Sequence, residues 1–258
     1  MSVSSKVLLS QLDHYRSSSP GPLLVGLHGW LLSGRLWDPL QRELAPRWEF
    51  WCPDLPGFGD RPRPRGLQAS LTSYGRWLAL RVRQKAGIRP VVLLGHSLGG
   101  SICLHAASIL GNQLQGMIQI AAGGGVYRPK PFAFVRRGGA MFLRWRPRWL
   151  AQVPGTEAIR GPLRADGRAA RGLLACSTSR GAVRQLPRLT SELTVPSLWI
   201  AGSRDQIMES RYVRHLAGYT PLHQIEMIEG AGHLPMCQMP RQLAATINRW
   251  LEEEVGRR

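Results

Sequence analysis

The chain has 258 residues, with 34 Lys and Arg against 16 Asp and Glu, a formal net charge of +18. A hydrophobic fraction of 43% excludes an intrinsically disordered chain, and the length suffices for one sizeable core, alone or with an insertion. No run of about 18 apolar residues supports a transmembrane helix, and the opening MSVSSKVLLSQLDHYR lacks the sustained apolar core of a secretory leader, so the expectation is a cytoplasmic protein.

In chain order, Leu23–His28 (LLVGLH) reads as a buried strand. Over Leu36–Ala45, Trp37, Leu40 and Leu44 recur at helical spacing. Phe50–Leu55 predicts a short strand ending in a Pro-Gly turn, and Ser73–Ala86 a helix with Leu78 and Val82 on one face. Val91–Leu94 (VVLL) is the continuous apolar run expected of a central parallel strand. Leu98–Leu110 returns to helix and Met117–Ala121 to strand. From Val126 to about Thr190 the alternation stops, and Arg, Pro, Gly and Trp dominate. It resumes with a strand at Ser197–Ala201, a helix at Arg211–Ala217, a strand at His223–Ile228 and a terminal helix at Leu243–Glu253. Alternating strand and helix predict an α/β fold with a mostly parallel sheet, helices on both faces and an inserted helical cap. The predicted division is a core of residues 1–125 and 191–258 with the cap at 126–190.

Cys52, Cys103, Cys176 and Cys237 are widely spaced, with no C-x-x-C pair. Free thiols in a reducing compartment are expected, with neither a zinc site nor a disulfide framework.

The strongest chemical signal is Gly95-His96-Ser97-Leu98-Gly99-Gly100, a G-x-S-x-G motif where a buried strand meets a helix. A serine on a sharp turn exposes its hydroxyl, the flanking glycines clear space, and the helix start faces developing negative charge. A serine nucleophile needs a base and a group that orients the base. His233, in Gly230-Ala231-Gly232-His233, and Asp205, in Ala201-Gly202-Ser203-Arg204-Asp205, each follow a predicted strand, at the rim where such sheets bind ligands. Taken singly, a loop histidine and a turn aspartate would be the plainer readings; order and placement together favour the catalytic ones. The backbone N–H groups of Leu98 and Trp30, the latter in His28-Gly29-Trp30, are the candidate oxyanion donors. Asp54, in Asp54-Leu55-Pro56-Gly57-Phe58-Gly59, reads as a turn residue.

These motifs, in this order over nearly the whole chain, resemble the α/β-hydrolase superfamily. The resemblance implies a sheet of about eight strands, a cap after the sixth, nucleophile Ser97, acid Asp205, base His233, and no metal or organic cofactor. Dehalogenases and epoxide hydrolases of this fold place an aspartate where Ser97 stands. The His-Gly-Trp and Asp-Leu-Pro-Gly-Phe-Gly loops look like those of pimeloyl-carrier-protein methyl ester esterases, though many relatives have Glu near the position of Gln238. The implied activity is hydrolysis of an ester or thioester. The competing readings are a C–C bond hydrolase or lyase on the same residues, and a non-catalytic binding protein on the same fold.

Between Arg128 and Thr190, fourteen basic residues face two acidic ones, Glu157 and Asp166, so this segment carries +12 of the +18. Arginine supplies 31 of the 34 basic residues, so composition bias alone is one explanation. An acidic carrier protein or a coenzyme A ester is a second, because Arg forks bind phosphate and carboxylate. An anionic membrane surface is a third: Phe132–Arg137 and Met141–Leu150 mix aromatics with arginines, although the same aromatics would equally suit an acyl pocket. No nucleic-acid module is recognisable, and nucleic acid is not an expected partner.

Overall fold

The computed structural model describes residues 21–45, 47–147, 149, 151 and 157–256. Six strands form one sheet in the order β2-β1-β3-β4-β5-β6, and every neighbouring pair is parallel. They are β1 (Leu23–Leu27), β2 (Phe50–Trp51), β3 (Val91–His96), β4 (Leu114–Ile120), β5 (Ser197–Gly202) and β6 (His223–Ile228). The sheet thus has six strands among the described residues, a correction to the expected eight or so. The described residues after Gly21 form six extended runs, and residues 1–20 lie outside the described ones.

The helices explain why β1, β3 and β5 are largely apolar, whereas the edge strand β6 (HQIEMI) is not. α1 (Asp38–Leu44), α2 (Leu71–Ala86), α3 (Leu98–Leu110), α8 (Ser210–Ala217), α9 (Pro235–Gln238) and α10 (Pro240–Trp250) flank the sheet. Val25, Leu27, Leu93 and Trp199 belong to one buried cluster with Leu78 and Ile102. Leu24, Val92, Leu94, Ile118 and Ile200 belong to a second with Trp37 and Trp250. Successive residues face opposite layers, so alternation in sequence disappears. Each fully buried Leu, Ile or Val contributes roughly 1.5–3 kcal/mol.

Between β4 and β5 the described residues hold four helices and no strand: α4 (Pro129–Trp145), α5 (Glu157–Arg164), α6 (Gly167–Ser177) and α7 (Arg180–Ser191). Asp166 caps α6, accepting from Arg168 N and Ala169 N at 2.9 and 2.7 Å, and pairs with Arg63 of the core at 3.3 Å. Arg146 is buried and donates to Pro162 O and Ala165 O, fastening α4 to the α5–α6 connection.

Several predicted boundaries move for physical reasons. β2 stops at Trp51 rather than Leu55, because Pro53 has no N–H and Leu55 N donates to His28 Nε2 at 2.9 Å instead of to a strand. β4 begins at Leu114 and stops before Ala121, whose φ of 48° ends the extended path. The first helical stretch opens as a 3-10 turn (Gly34–Trp37) before α1. Ser70 starts α2 early, its Oγ accepting from Ser73 N. α10 starts at Pro240 and runs into a π turn at Leu251–Val255.

Candidate active site

Ser97 is the single residue between β3 and α3, with φ 52° and ψ −118°. A non-glycine residue there carries backbone strain of about 1–3 kcal/mol. The turn is held from both sides: Ser97 N donates to Ile120 O at 3.1 Å, and Gly100 N donates to Ser97 O at 3.0 Å. Two glycines are demanded by close approach. A Cβ on Gly95 would sit 2.4 Å from Gly100 Cα, and one on Gly99 would sit 2.3 Å from Leu27 O.

His233 and Asp205 meet as the chain order suggested. His233 Nδ1 lies 2.8 Å from Asp205 Oδ2. Asp205 Oδ1 accepts from Ile207 N and Met208 N, both at 2.9 Å. A carboxylate oxygen can only accept, so Nδ1 carries the proton and Nε2 of neutral His233 is left bare. Burial alone would raise the Asp205 pKa; the His233 hydrogen bond and the two backbone N–H groups outweigh it and hold the carboxyl below its ordinary range.

Ser97, Leu98, Trp30 and His233 line one cavity of about 580 Å³. Its floor includes Ser101, and its far wall comes from the insertion: Phe132 and Val135 of α4, Leu174 of α6, Val183 and Leu186 of α7. Among the described residues, no Asp, Glu, Lys or Arg lines it. The Trp30 indole N–H donates to Ala170 O at 2.9 Å, fixing the His28–Trp30 loop to α6. After Trp30 the chain turns sharply at Leu31, φ 60°.

His28 accepts the Leu55 N–H on Nε2, so its Nδ1 carries a proton and donates to Gly29 O at 2.8 Å. Burial pushes its pKa down to about 4. Asp54 is a turn residue: Oδ1 accepts from Gly34 N at 2.6 Å and Oδ2 from Asp60 N at 2.8 Å. The four cysteines are free thiols. Among the described residues no cluster of three or more His, Cys, Asp or Glu could hold a metal.

Two contributors are not visible as such in the sequence. His96, the variable position of G-x-S-x-G, is buried and reaches the His233 carbonyl. Gln238 accepts from Gly232 N through Oε1 at 2.7 Å, bracing the loop that carries His233. The aromatics of the insertion divide: Phe132 faces the cavity, whereas Phe134, Trp145 and Trp149 are exposed.

Comparison with known proteins agrees with this geometry. A profile of the "Alpha/beta hydrolase family" matches residues 24–246. A pimeloyl-[acyl-carrier protein] methyl ester esterase of Xanthomonas oryzae is 32% identical over 252 residues, covering 90% of this chain and 95% of the relative. One from Xylella fastidiosa is 30% identical over 254 residues, with the same coverage. Among solved structures, a thermophilic esterase from Thermogutta terrifontis superposes with a TM-score of 0.74 at 24% identity, over 91% of each chain. A bromoperoxidase from Bacillus anthracis gives 0.77 at 15% identity, over 91% of this chain and 93% of its own. At these identities the solved structures attest the fold.

Proposed function

Because the chain belongs to the alpha/beta hydrolase family and is a hydrolase acting on esters, we propose that it works through an acyl-enzyme on Ser97. His233 Nε2 takes the Ser97 proton as Oγ attacks the acyl carbonyl. Asp205 holds the imidazole with its proton on Nδ1 and stabilises the imidazolium that forms. The N–H groups of Leu98 and Trp30 receive the oxyanion. His233 returns the proton to the departing alcohol, then activates water to release the acid. No metal or organic cofactor takes part. The observation that carries this reading is the His233–Asp205 pair at 2.8 Å, with His233 lining the same cavity as a strained serine.

The acyl group is uncharged. Among the described residues the cavity offers apolar walls and neutral polar groups, and a buried carboxylate would find no partner there. The esterase relatives act on a methyl ester of an acyl group borne on a carrier protein. Arg168, Arg171, Arg180 and Arg184, exposed on α6 and α7, suit an acidic carrier of such an ester. The helical segment 126–190 is in this reading a cap over the entrance. The test is hydrolysis of p-nitrophenyl butyrate by the full chain and by Ser97→Ala. Loss of turnover in the variant supports the reading; equal turnover overturns it.

A further inference from the structure

The α4 helix has two faces with different chemistry. Inward, Gly139 and Leu143 are buried and Phe132 and Val135 line the acyl cavity. Outward, Phe134, Met141 and Trp145 are 78%, 64% and 74% exposed. At 100° per residue these three fall within about 40° of arc, along roughly 16 Å of helix. Lys130, Arg137 and Arg144 form a second strip along one side of the first. The Arg144 guanidinium lies 5.7 Å from the centre of the Trp145 ring. Trp149, 67% exposed, follows just beyond the helix. Residues 128–156 contain no Asp or Glu.

Three large apolar side chains on one exposed strip are a cost in water that an ordinary solvated face does not carry. Like charge along the strip's edge opposes pairing with a second copy of this chain. A bilayer accepts both strips: Trp, Met and Phe settle at the headgroup boundary while Arg and Lys reach anionic headgroups. No described helix is long and apolar enough to cross a membrane, so the helix would lie along the surface.

We propose that the outer face of α4 docks this protein on an anionic lipid surface. Phe132 and Val135 on the same helix place the cavity wall directly behind the docked face. A lipid-dissolved ester would then have a short path to Ser97, an inference that rests on the esterase reading. The docking itself does not.

Vesicle sedimentation tests it, with vesicles of phosphatidylcholine alone and with about one-third phosphatidylglycerol. The full chain is expected to bind the anionic vesicles at least tenfold better, with a blue shift of tryptophan emission. Met141→Ser with Trp145→Ser lowers that binding at least fivefold, while turnover of p-nitrophenyl butyrate and the circular dichroism spectrum stay unchanged. Arg180→Glu with Arg184→Glu, off α4, retains most of the binding. Ser97→Ala binds as the parent does, so a failed esterase reading and a failed docking reading give different results. Equal binding to both vesicle types, binding insensitive to the α4 substitutions, or equal loss in the α7 variant would overturn the proposal. So would α4-dependent binding of an acidic acyl carrier protein with no vesicle binding.

Discussion

His96 donates its Nε2–H to the main-chain oxygen of His233 at 2.9 Å, tying the residue before Ser97 to the residue that carries the base. The two rings stand 4.9 Å apart between centroids, tilted by 59°. Burial pushes the His96 pKa down to about 3, with repulsion from His233 second. A neutral His96 is required here, since a charged ring would oppose the imidazolium forming on His233. His96→Ala is expected to lower kcat by about tenfold to a hundredfold through loss of positioning, with KM nearly unchanged. His96→Gln, which keeps a side-chain N–H, should recover part of the loss. Equal activity of the two variants, or a change in KM alone, would count against this role.

Acid sensitivity follows from the buried imidazoles. His28 and His96 have folded pKa values of about 4 and about 3, below the ordinary 6.5. Between those values the unfolded chain binds more protons, so stability falls as pH drops below 6.5, by about 1.4 kcal/mol per pH unit for each group. Asp205, also depressed, contributes stability above its unfolded value that is lost only at still lower pH. Urea midpoints measured from pH 7.5 to 4.5 should decline mainly below pH 6.5. Burial also pushes the His105 pKa down, which adds to the fall, so His96→Gln should remove between about one-third and one-half of the slope. A midpoint flat down to pH 4.5 would refute the assignment of neutral buried rings.

Asp205→Asn keeps the shape of the pair but lets the amide favour the wrong imidazole tautomer. A fall in kcat on the order of 10³ to 10⁴ is expected, with substrate binding retained. Steady-state kinetics at pH 8 checks this; a variant within tenfold of the parent would remove Asp205 from the mechanism.

A cavity whose described lining is uncharged predicts discrimination at the far end of the acyl chain. p-Nitrophenyl hexanoate should exceed the mono-p-nitrophenyl ester of adipic acid by at least about a hundredfold in kcat/KM, because burying an unpaired carboxylate costs several kcal/mol. Comparable values would mean that a cation of the cap reaches the bound acyl chain.

Gln238→Ala removes the acceptor for Gly232 N, at a cost of about 1 kcal/mol, and should lower kcat several-fold by loosening the His233 loop. Gln238→Glu keeps an acceptor and should remain close to the parent. Thermal midpoints and kcat measured together separate this from general destabilisation.

Much of this was legible in the sequence because the residues concerned are punctuated. VVLL before Gly95 announces a doubly covered strand, and Ser97, Asp205 and His233 each follow a strand end. Three features were hidden. His96 acts through its partner's carbonyl oxygen, which has no residue-type signature. β2 is shortened by a hydrogen bond to His28, a contact 27 residues away. The fates of Phe132 and Phe134 diverge because they sit on opposite faces of α4, and the helix phase against the cavity is set by how the insertion packs.

The acyl-enzyme on Ser97 is tested most directly by acid-quenching the protein during turnover of a slow ester and measuring its intact mass and peptide map. The account predicts one added acyl group, located on the peptide holding Gly95–Gly100 and absent in Ser97→Ala. An unmodified Ser97 during turnover, with Ser97→Ala still active, would contradict it.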